Sequence, residues 1–324
     1  LDISVIIPSR PDDPHLQRCL DAVCLALPAG GEVIVAGDGW TPQPILPTGN
    51  GIAFRVLALE KAGPAACRDA GARLAAHDWL CFVDSDVLVH RDAIVRSTTI
   101  LGESNDDGLV GSYDDEPEDP GAISRFRNLL HHYHHQRNAG MRGVFWGAFS
   151  LVRKSAYLDA GGFDPAYRDA SIEDIELGYR LAAKGYRITL RPEIQVTHLK
   201  RWTFPGMVRT DILLRAKPWT LLLHRYRNRH LGDLNTSGTE RLSAAMSGLA
   251  LLTLSLSLMD VLPFGVPAMI CIILIILQRG FYAFIMGKMQ VWAWPAAFLL
   301  HQVYFLSAMA GWMLARFEII YHHR

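Results

Sequence analysis

The stretch Trp79–Val89 reads WLCFVDSDVLV. The apolar run Leu80–Val83 stops at Asp84-Ser85-Asp86 and resumes at Val87. A short unbroken apolar run fits a strand buried on both faces. Carboxylates at the C-terminal end of such a strand in an α/β sheet stand where ligands bind. Two of them, one residue apart, offer hard oxygen donors suited to Mg²⁺ or Mn²⁺ carrying a substrate diphosphate. An Asp-Ser turn closing the strand explains the same letters, so the flanking chain has to decide.

Upstream, Ile3–Ile7 reads as a strand that ends in the loop Pro8-Ser9-Arg10. Leu16, Leu20, Val23 and Leu27 recur at helical spacing up to Pro28. Glu32–Ala36 predicts a second strand ending at Gly37-Asp38-Gly39, and Phe54–Leu59 a third. Gly63–Ala76 reads as a helix of small residues, with Arg68 one turn in, where a phosphate-facing cation sits well. This alternation predicts an α/β fold, a Rossmann-like, mostly parallel sheet flanked by helices. Asp38 at a strand end can accept hydrogen bonds from a base or ribose. Gly-Asp-Gly is equally good turn chemistry, and the letters leave both readings open.

Downstream, a helix over residues 91–101 leads to a strand at Leu109–Ser112 and an acidic, proline-bearing loop from Asp114 to Pro120. Residues 125–142 hold His131, His132, His134 and His135. Adjacent residues of a helix face different ways, so these four cannot all reach one ion. A polar helix beside an acceptor cleft is the expectation. Phe145–Phe149 predicts a strand in which Gly147, next to Trp146, permits close approach. Ala160–Asp164 is a tight turn. Glu173 and Asp174 open a helix running to Leu181. Acids there complement the helix dipole, and either also serves as a general base at a cleft. Arg187–Leu190 and Ile194–Thr197 predict two late strands, followed by His198 as a surface residue or a metal ligand.

Lys+Arg and Asp+Glu are both 32 in 324 residues, so net charge argues for neither nucleic acid nor an acidic partner. Mean hydropathy is +0.14, and its excess is concentrated between Leu242 and Ala315. The expectation is a soluble domain over 1–235 and a membrane region over 236–324, with spans at 242–259, 262–277 and 291–315. The first two are slightly short and form a hairpin around Asp260 and Pro263. The third is long enough to span, although Arg316 and Arg324 behind it also suit a re-entrant or interfacial segment. Basic residues crowd Lys217–Arg241, and the hairpin loop has none, which places the soluble domain in the cytoplasm. Lys200–Phe204 and Lys217-Pro218-Trp219 read as interfacial contacts. The five cysteines contain no CxxC pair and read as buried free thiols in a reducing compartment. The chain opens on an apolar strand with no basic n-region and apolar h-region before it, so no signal peptide is expected, and with Leu1 in place of an initiator methionine a trimmed or altered native start is the expectation.

Taken in order, these pieces resemble a family 2 glycosyltransferase of GT-A fold over residues 2–235. The resemblance rests on the IIPSR first strand, Asp38, the G-x-A-x-x-R-[ND]-x-G block from Gly63 to Gly71, DSD at Asp84–Asp86, GGFD at Gly161–Asp164 and EDIELGYRL at Glu173–Leu181. It implies a nucleotide-sugar donor bound by Pro8, Arg10, Asp38, Arg68, Asp84 and Asp86. It implies Mg²⁺ or Mn²⁺ on Asp86 and His198, and a general base at Asp174 with Glu173 beside it. It implies a donor and acceptor cleft lined by Trp146, Gly147, Arg201 and Trp202. His198–Trp202 resembles the Q-x-x-R-W box of processive polysaccharide synthases with His in place of Gln, a departure that counts against processivity. The reading is an inverting, metal-dependent transferase in the inner (cytoplasmic) membrane, acting on a lipid or saccharide acceptor in envelope glycolipid or polysaccharide synthesis. A processive synthase and a non-catalytic nucleotide-sugar-binding subunit are the alternatives. Few spans count against the first, and the retained acids and His198 against the second.

Overall fold

The computed structural model describes residues 2–39, 51–226 and 237–322. The boundary expected at 235–236 and Arg324 lie outside the described residues. Two compact units are present, Leu1–Asp119 with His135–Lys200, and Pro120–His134 with Arg201–Arg324.

The first unit is built on one sheet of strands β1 (Ile3–Ser9), β2 (Glu32–Asp38), β3 (Ala53–Leu59), β4 (Trp79–Val83), β5 (Val87–Val89), β6 (Gly108–Tyr113), β7 (Phe149–Arg153) and β8 (Ile188–His198). Their order is β3-β2-β1-β4-β7-β6-β8-β5. The half β3-β2-β1-β4 is parallel throughout. Strand β7 enters antiparallel between β4 and β6, and β5 pairs antiparallel with β8, so the sheet is mixed. Helices α1 (Leu16–Ala26), α2 (Pro64–Leu74), α3 (Ala93–Glu103), α5 (Lys154–Asp159) and α6 (Glu173–Ala183) accompany it, and α4 (Ala122–Arg137) precedes β7.

Every residue of β1 and β4 is buried, β4 being wholly apolar and the mid-strand Ser4 of β1 donating its hydroxyl to Glu32 Oε1. Val5, Ile7, Val33, Val35, Cys81 and Val83 face one core, which the Cys19, Leu20 and Val23 face of α1 completes. On the other face α2 presses closely. A Cβ at Gly71 would meet Ile6 Cγ2 at 2.7 Å, so the small residues of this helix are a packing requirement.

Two strand expectations change. The late pair is one strand, β8, with an irregular register against β6 between Val110 and Ser112 that takes up Pro192. Phe145–Ala148 is loop, and β7 begins at Phe149.

The second unit contains α7 (Phe204–Arg209), a π-helical turn Thr210–Ala216, α8 (Lys217–Arg225), α9 (Gly238–Leu258), α10 (Gly265–Leu277), α11 (Arg279–Lys288) and α12 (Trp294–His322). Phe126, Leu130, Met207, Phe281, Ile285 and Leu300 share its core. Arg127 and Asp211 form a buried ion pair at 2.8 Å. Among the described residues two helices, Gly238–Leu258 and Val291–Tyr321, are long and apolar enough to cross a membrane. Segment 262–277 forms only the 13-residue α10, which is bent by 79° from α11. The bend falls at buried Gln278, whose side-chain amide donates to Glu240 Oε1 and Ser243 Oγ, tying the break to the start of α9. As one bent span the pair would make a third crossing.

Candidate active site

Three of the residues singled out at strand ends, Asp84, Asp86 and His198, come together within the first unit. β4 delivers Asp84, β5 starts just after Asp86, and β8 closes on His198. Leu199 N–H donates to Asp86 O, which brings the end of β8 against the acidic turn. The turn is braced from below. Asp12 adopts φ 55°, a left-handed conformation that aspartate tolerates. The next residue, Asp13, accepts from Ser85 Oγ at 2.5 Å and from His15 N–H at 3.0 Å.

Arg68 lies behind Asp84 and is almost fully buried. Its Nη2 donates to Asp84 Oδ1 at 2.5 Å and its Nη1 to Glu173 Oε1 at 2.9 Å. Its guanidinium stands 5.3 Å from the Phe163 ring centroid, in the GGFD turn. That turn is tied to α2 through Tyr157, whose hydroxyl donates to Asp69 Oδ1 and accepts from Phe163 N–H. Burial opposes the charge of Arg68, but Asp84 and Glu173 outweigh it and hold its pKa above the ordinary value.

Glu173 is buried, and each carboxylate oxygen has a partner, Arg68 for Oε1 and the Ser171 N–H for Oε2. Asp174 is half-buried and accepts from Gly147 N–H at 3.0 Å and Ile175 N–H at 2.7 Å. Burial and the neighbouring Glu173 charge push the Asp174 carboxyl up to about 6, against those N–H donors and Arg68. Burial and Asp86 also raise Asp84, although Arg68 pulls it down. Asp86 moves the other way. Burial would raise it, but contact with His198, together with the charges of His198, Lys200 and His15, holds it at about 2.

Gly147 explains why the expected strand is a loop. Its N–H is used by Asp174, not by a strand partner. A Cβ there would stand 2.9 Å from Arg68 Nη2 and 3.0 Å from Cζ. Because two carboxylates clamp that guanidinium, Gly147→Ala is expected to cost about 1–3 kcal/mol through overpacking. A thermal midpoint equal to wild type would refute this.

Asp86 Oδ2 and His198 Nε2 are 3.6 Å apart. Among the described residues no group of three or more His, Cys, Asp or Glu side chains converges on one point. One carboxylate and one imidazole suit a cation that draws its other donors from substrate phosphates and water. Asp38 Oδ1 accepts from Ala62 N–H at 2.7 Å and Gly63 N–H at 3.0 Å, closing the loop before α2 onto the end of β2. Gly63 has φ +90°, and a Cβ there would overlap the Arg168 carbonyl. Pro8 is buried in β1, paired with Ala36, and Arg10 is exposed just beyond the strand. Arg201 and Trp202 belong to the second unit, where the Trp202 ring lies 5.0 Å from the Arg127 guanidinium and the Trp202 backbone N–H donates to Ser124 Oγ.

Two contributors went unmarked in the letters, Asp13 and Tyr113, while His135 was noted only as one of the clustered histidines. Tyr113 stacks on His198, and Trp146 packs edge-on against Tyr113. His135 packs edge-on against Trp146, with its Nδ1 3.1 Å from Gly111 O. Of the clustered histidines, His132 instead stacks on Phe284 in the second unit.

The chain is 29% identical over 221 residues to a pre-mycofactocin glycosyltransferase of Mycobacterium tuberculosis, covering 61% of this chain and 42% of that protein. It is 23% identical over 226 residues to glycosyltransferase GlyA of Streptococcus pneumoniae, covering 67% of this chain and 32% of that one. It thus spans less than half the length of either relative. Its fold is similar to that of the mannosyltransferase PcManGT from Pyrobaculum calidifontis, solved with GDP-Man and Mn²⁺. That likeness has a TM-score of 0.62 at 16% identity and covers 96% of this chain and 86% of that one. Residues 4–160 match the Glycosyl transferase family 2, and residues 119–314 match the Glycosyl transferase family group 2. With strand-end acids, a held carboxylate at α6 and a GT-A-like mixed sheet beneath them, this chain belongs to the family 2 glycosyltransferases.

Proposed function

We propose that this chain moves a sugar from a nucleoside-diphosphate sugar to an acceptor hydroxyl in a single inverting displacement. The observation that carries the proposal is Asp174, half-buried, oriented by the Gly147 N–H and poised at about 6, in the same unit as the Asp84–Asp86 turn. Pro8, Arg10, Asp38 and Asp84 face the nucleotide, with Arg68 behind Asp84. Trp146 and Gly147 border the reacting sugar. Asp174 accepts the proton of the acceptor hydroxyl as that oxygen bonds to the anomeric carbon. The bond from that carbon to the diphosphate oxygen breaks, and the leaving diphosphate keeps the electron pair. Glu173, committed to Arg68 and Ser171, stands beside the base in sequence and takes no proton. Asp86 and His198 would hold Mg²⁺ or Mn²⁺, and a cation bound there neutralises charge on the departing diphosphate. The apolar C-terminal helices anchor the chain in the inner membrane with the catalytic unit on the cytoplasmic side, which favours a lipid or lipid-linked acceptor.

The test is nucleotide release from a panel of sugar nucleotides with Mn²⁺ or Mg²⁺, wild type against Asp174→Asn. Release by wild type alone supports transfer. Tight nucleotide binding with no release on any donor would make the chain a binding subunit.

The pH dependence follows from Asp174. As a base it must be ionised, so kcat should fall about tenfold per pH unit below about 6. The stability effect has the opposite sign. A carboxyl raised from its unfolded value near 3.9 favours the fold most below that value, and the contribution is lost as pH rises through about 6. Lowered Asp86 contributes above about 4, and its share is lost only as pH falls through about 2. The activity loss between pH 7 and 5.5 should therefore come with no parallel drop in thermal midpoint. A kcat that stays flat down to pH 5 would contradict the assignment.

A further inference from the structure

We propose that Tyr113 is a positioning residue for His198, fixing the direction in which the imidazole presents its Nε2 to a cation. The inference rests on the reading of Asp86 and His198 as the cation's protein donors.

Tyr113 ends β6 and pairs in register with Val196 of the parallel β8. His198 lies two residues on, so its side chain emerges on the same face of the sheet. The two rings stack with centroids 4.1 Å apart and planes 14° from parallel. Both residues are nearly buried. A histidine side chain turns about a broad, two-fold terminal torsion, so its own rotamer preference does not choose a ring plane. The flat face of Tyr113 does. Tyr113 is held in turn, because Trp146 meets it edge-on at 4.6 Å and 82°. His135 meets Trp146 edge-on at 5.1 Å. With the plane fixed, His198 Nε2 stands 3.6 Å from Asp86 Oδ2, a separation that one cation can bridge. Trp146 is also the neighbour of Gly147, whose N–H holds Asp174. One loop therefore steadies both the base and the cation side.

The test measures Mn²⁺ affinity of the full chain in the presence of GDP, and separately of UDP, from the electron paramagnetic resonance of free Mn²⁺. Tyr113→Phe keeps the ring face and should bind like wild type. Tyr113→Leu and Tyr113→Met remove it and should weaken Mn²⁺ binding about 10-fold, the lower end of the effect of residues that orient metal ligands. Two such variants are compared so that one that misfolds leaves the other to decide, with thermal midpoints identifying which is folded. A folded Leu or Met variant that binds Mn²⁺ as tightly as wild type would overturn the proposal. So would a Phe variant as weak as Leu, since the hydroxyl would then be the active part. His198→Ala separates the two levels. If it leaves Mn²⁺ binding unchanged, the cation site itself falls. If it weakens binding while Leu and Met do not, only the role of Tyr113 falls.

Discussion

Replacing Asp174 with asparagine is expected to lower kcat by about 10²–10⁴-fold, the usual contribution of a positioned general base. Asparagine keeps the size of the side chain and an acceptor for the Gly147 N–H, but takes no proton from a hydroxyl. Nucleoside-diphosphate affinity should stay close to wild type, because the strand-end acids and His198 are untouched. A steady-state comparison with a calorimetric binding control checks both halves. The same split should not appear for Glu173→Gln. That residue supports the fold through Arg68 and Ser171, so its loss should show first as a lower thermal midpoint. A Glu173→Gln enzyme that folds normally yet loses as much kcat as Asp174→Asn would reverse the assignment.

The second large effect is structural. Arg68→Met leaves Asp84 and Glu173 without the cation that both grip at hydrogen-bond distance. Removing one partner of a buried ion pair is costly because the other charge remains buried and uncompensated, and about 3–5 kcal/mol is expected. For a unit of this size, that is roughly 2–4 °C of thermal midpoint per kcal/mol. Pairing Arg68→Met with Glu173→Gln should recover part of the loss, because one of the two stranded charges is then gone. Arg68→Lys should fall in between, keeping the charge but losing the fork that reaches two carboxylates at once. An Arg68→Met protein as stable as wild type would show that the clamp carries little of the fold.

Much of this was legible because strand ends announce themselves. Leu80–Val83 is apolar enough to be a central strand, and the change to Asp84 marks its end without ambiguity. Asp38 and His198 are read by the same rule. What local letters could not carry was direction and continuity. Nothing in FSLVR tells β7 to run antiparallel, since that depends on where its neighbours lie. Pro192 reads in the sequence as a break, yet the irregular register of β8 against β6 accommodates it. Phe145–Ala148 has strand composition, but the Gly147 N–H is drawn to Asp174, a partner 27 residues away. The aromatic packing of His135, Trp146, Tyr113 and His198 joins four separate segments, so no spacing rule would find it. Trp202 carries a motif that resembles a cleft element, while its packing on Arg127 and its backbone bond to Ser124 join segments more than 70 residues apart, which spacing does not reveal. The apolar tail was plain as composition, whereas the 79° break at Gln278 needed Glu240 and Ser243 to explain it.

The central claim is one displacement at the anomeric carbon, with Asp174 as base and no carboxylate nucleophile. Its most direct measurement is the anomeric configuration of the first-formed product, read from proton coupling constants by nuclear magnetic resonance. Starting from an α-linked sugar nucleotide, the product should be β-linked. An α-linked product would contradict a single displacement.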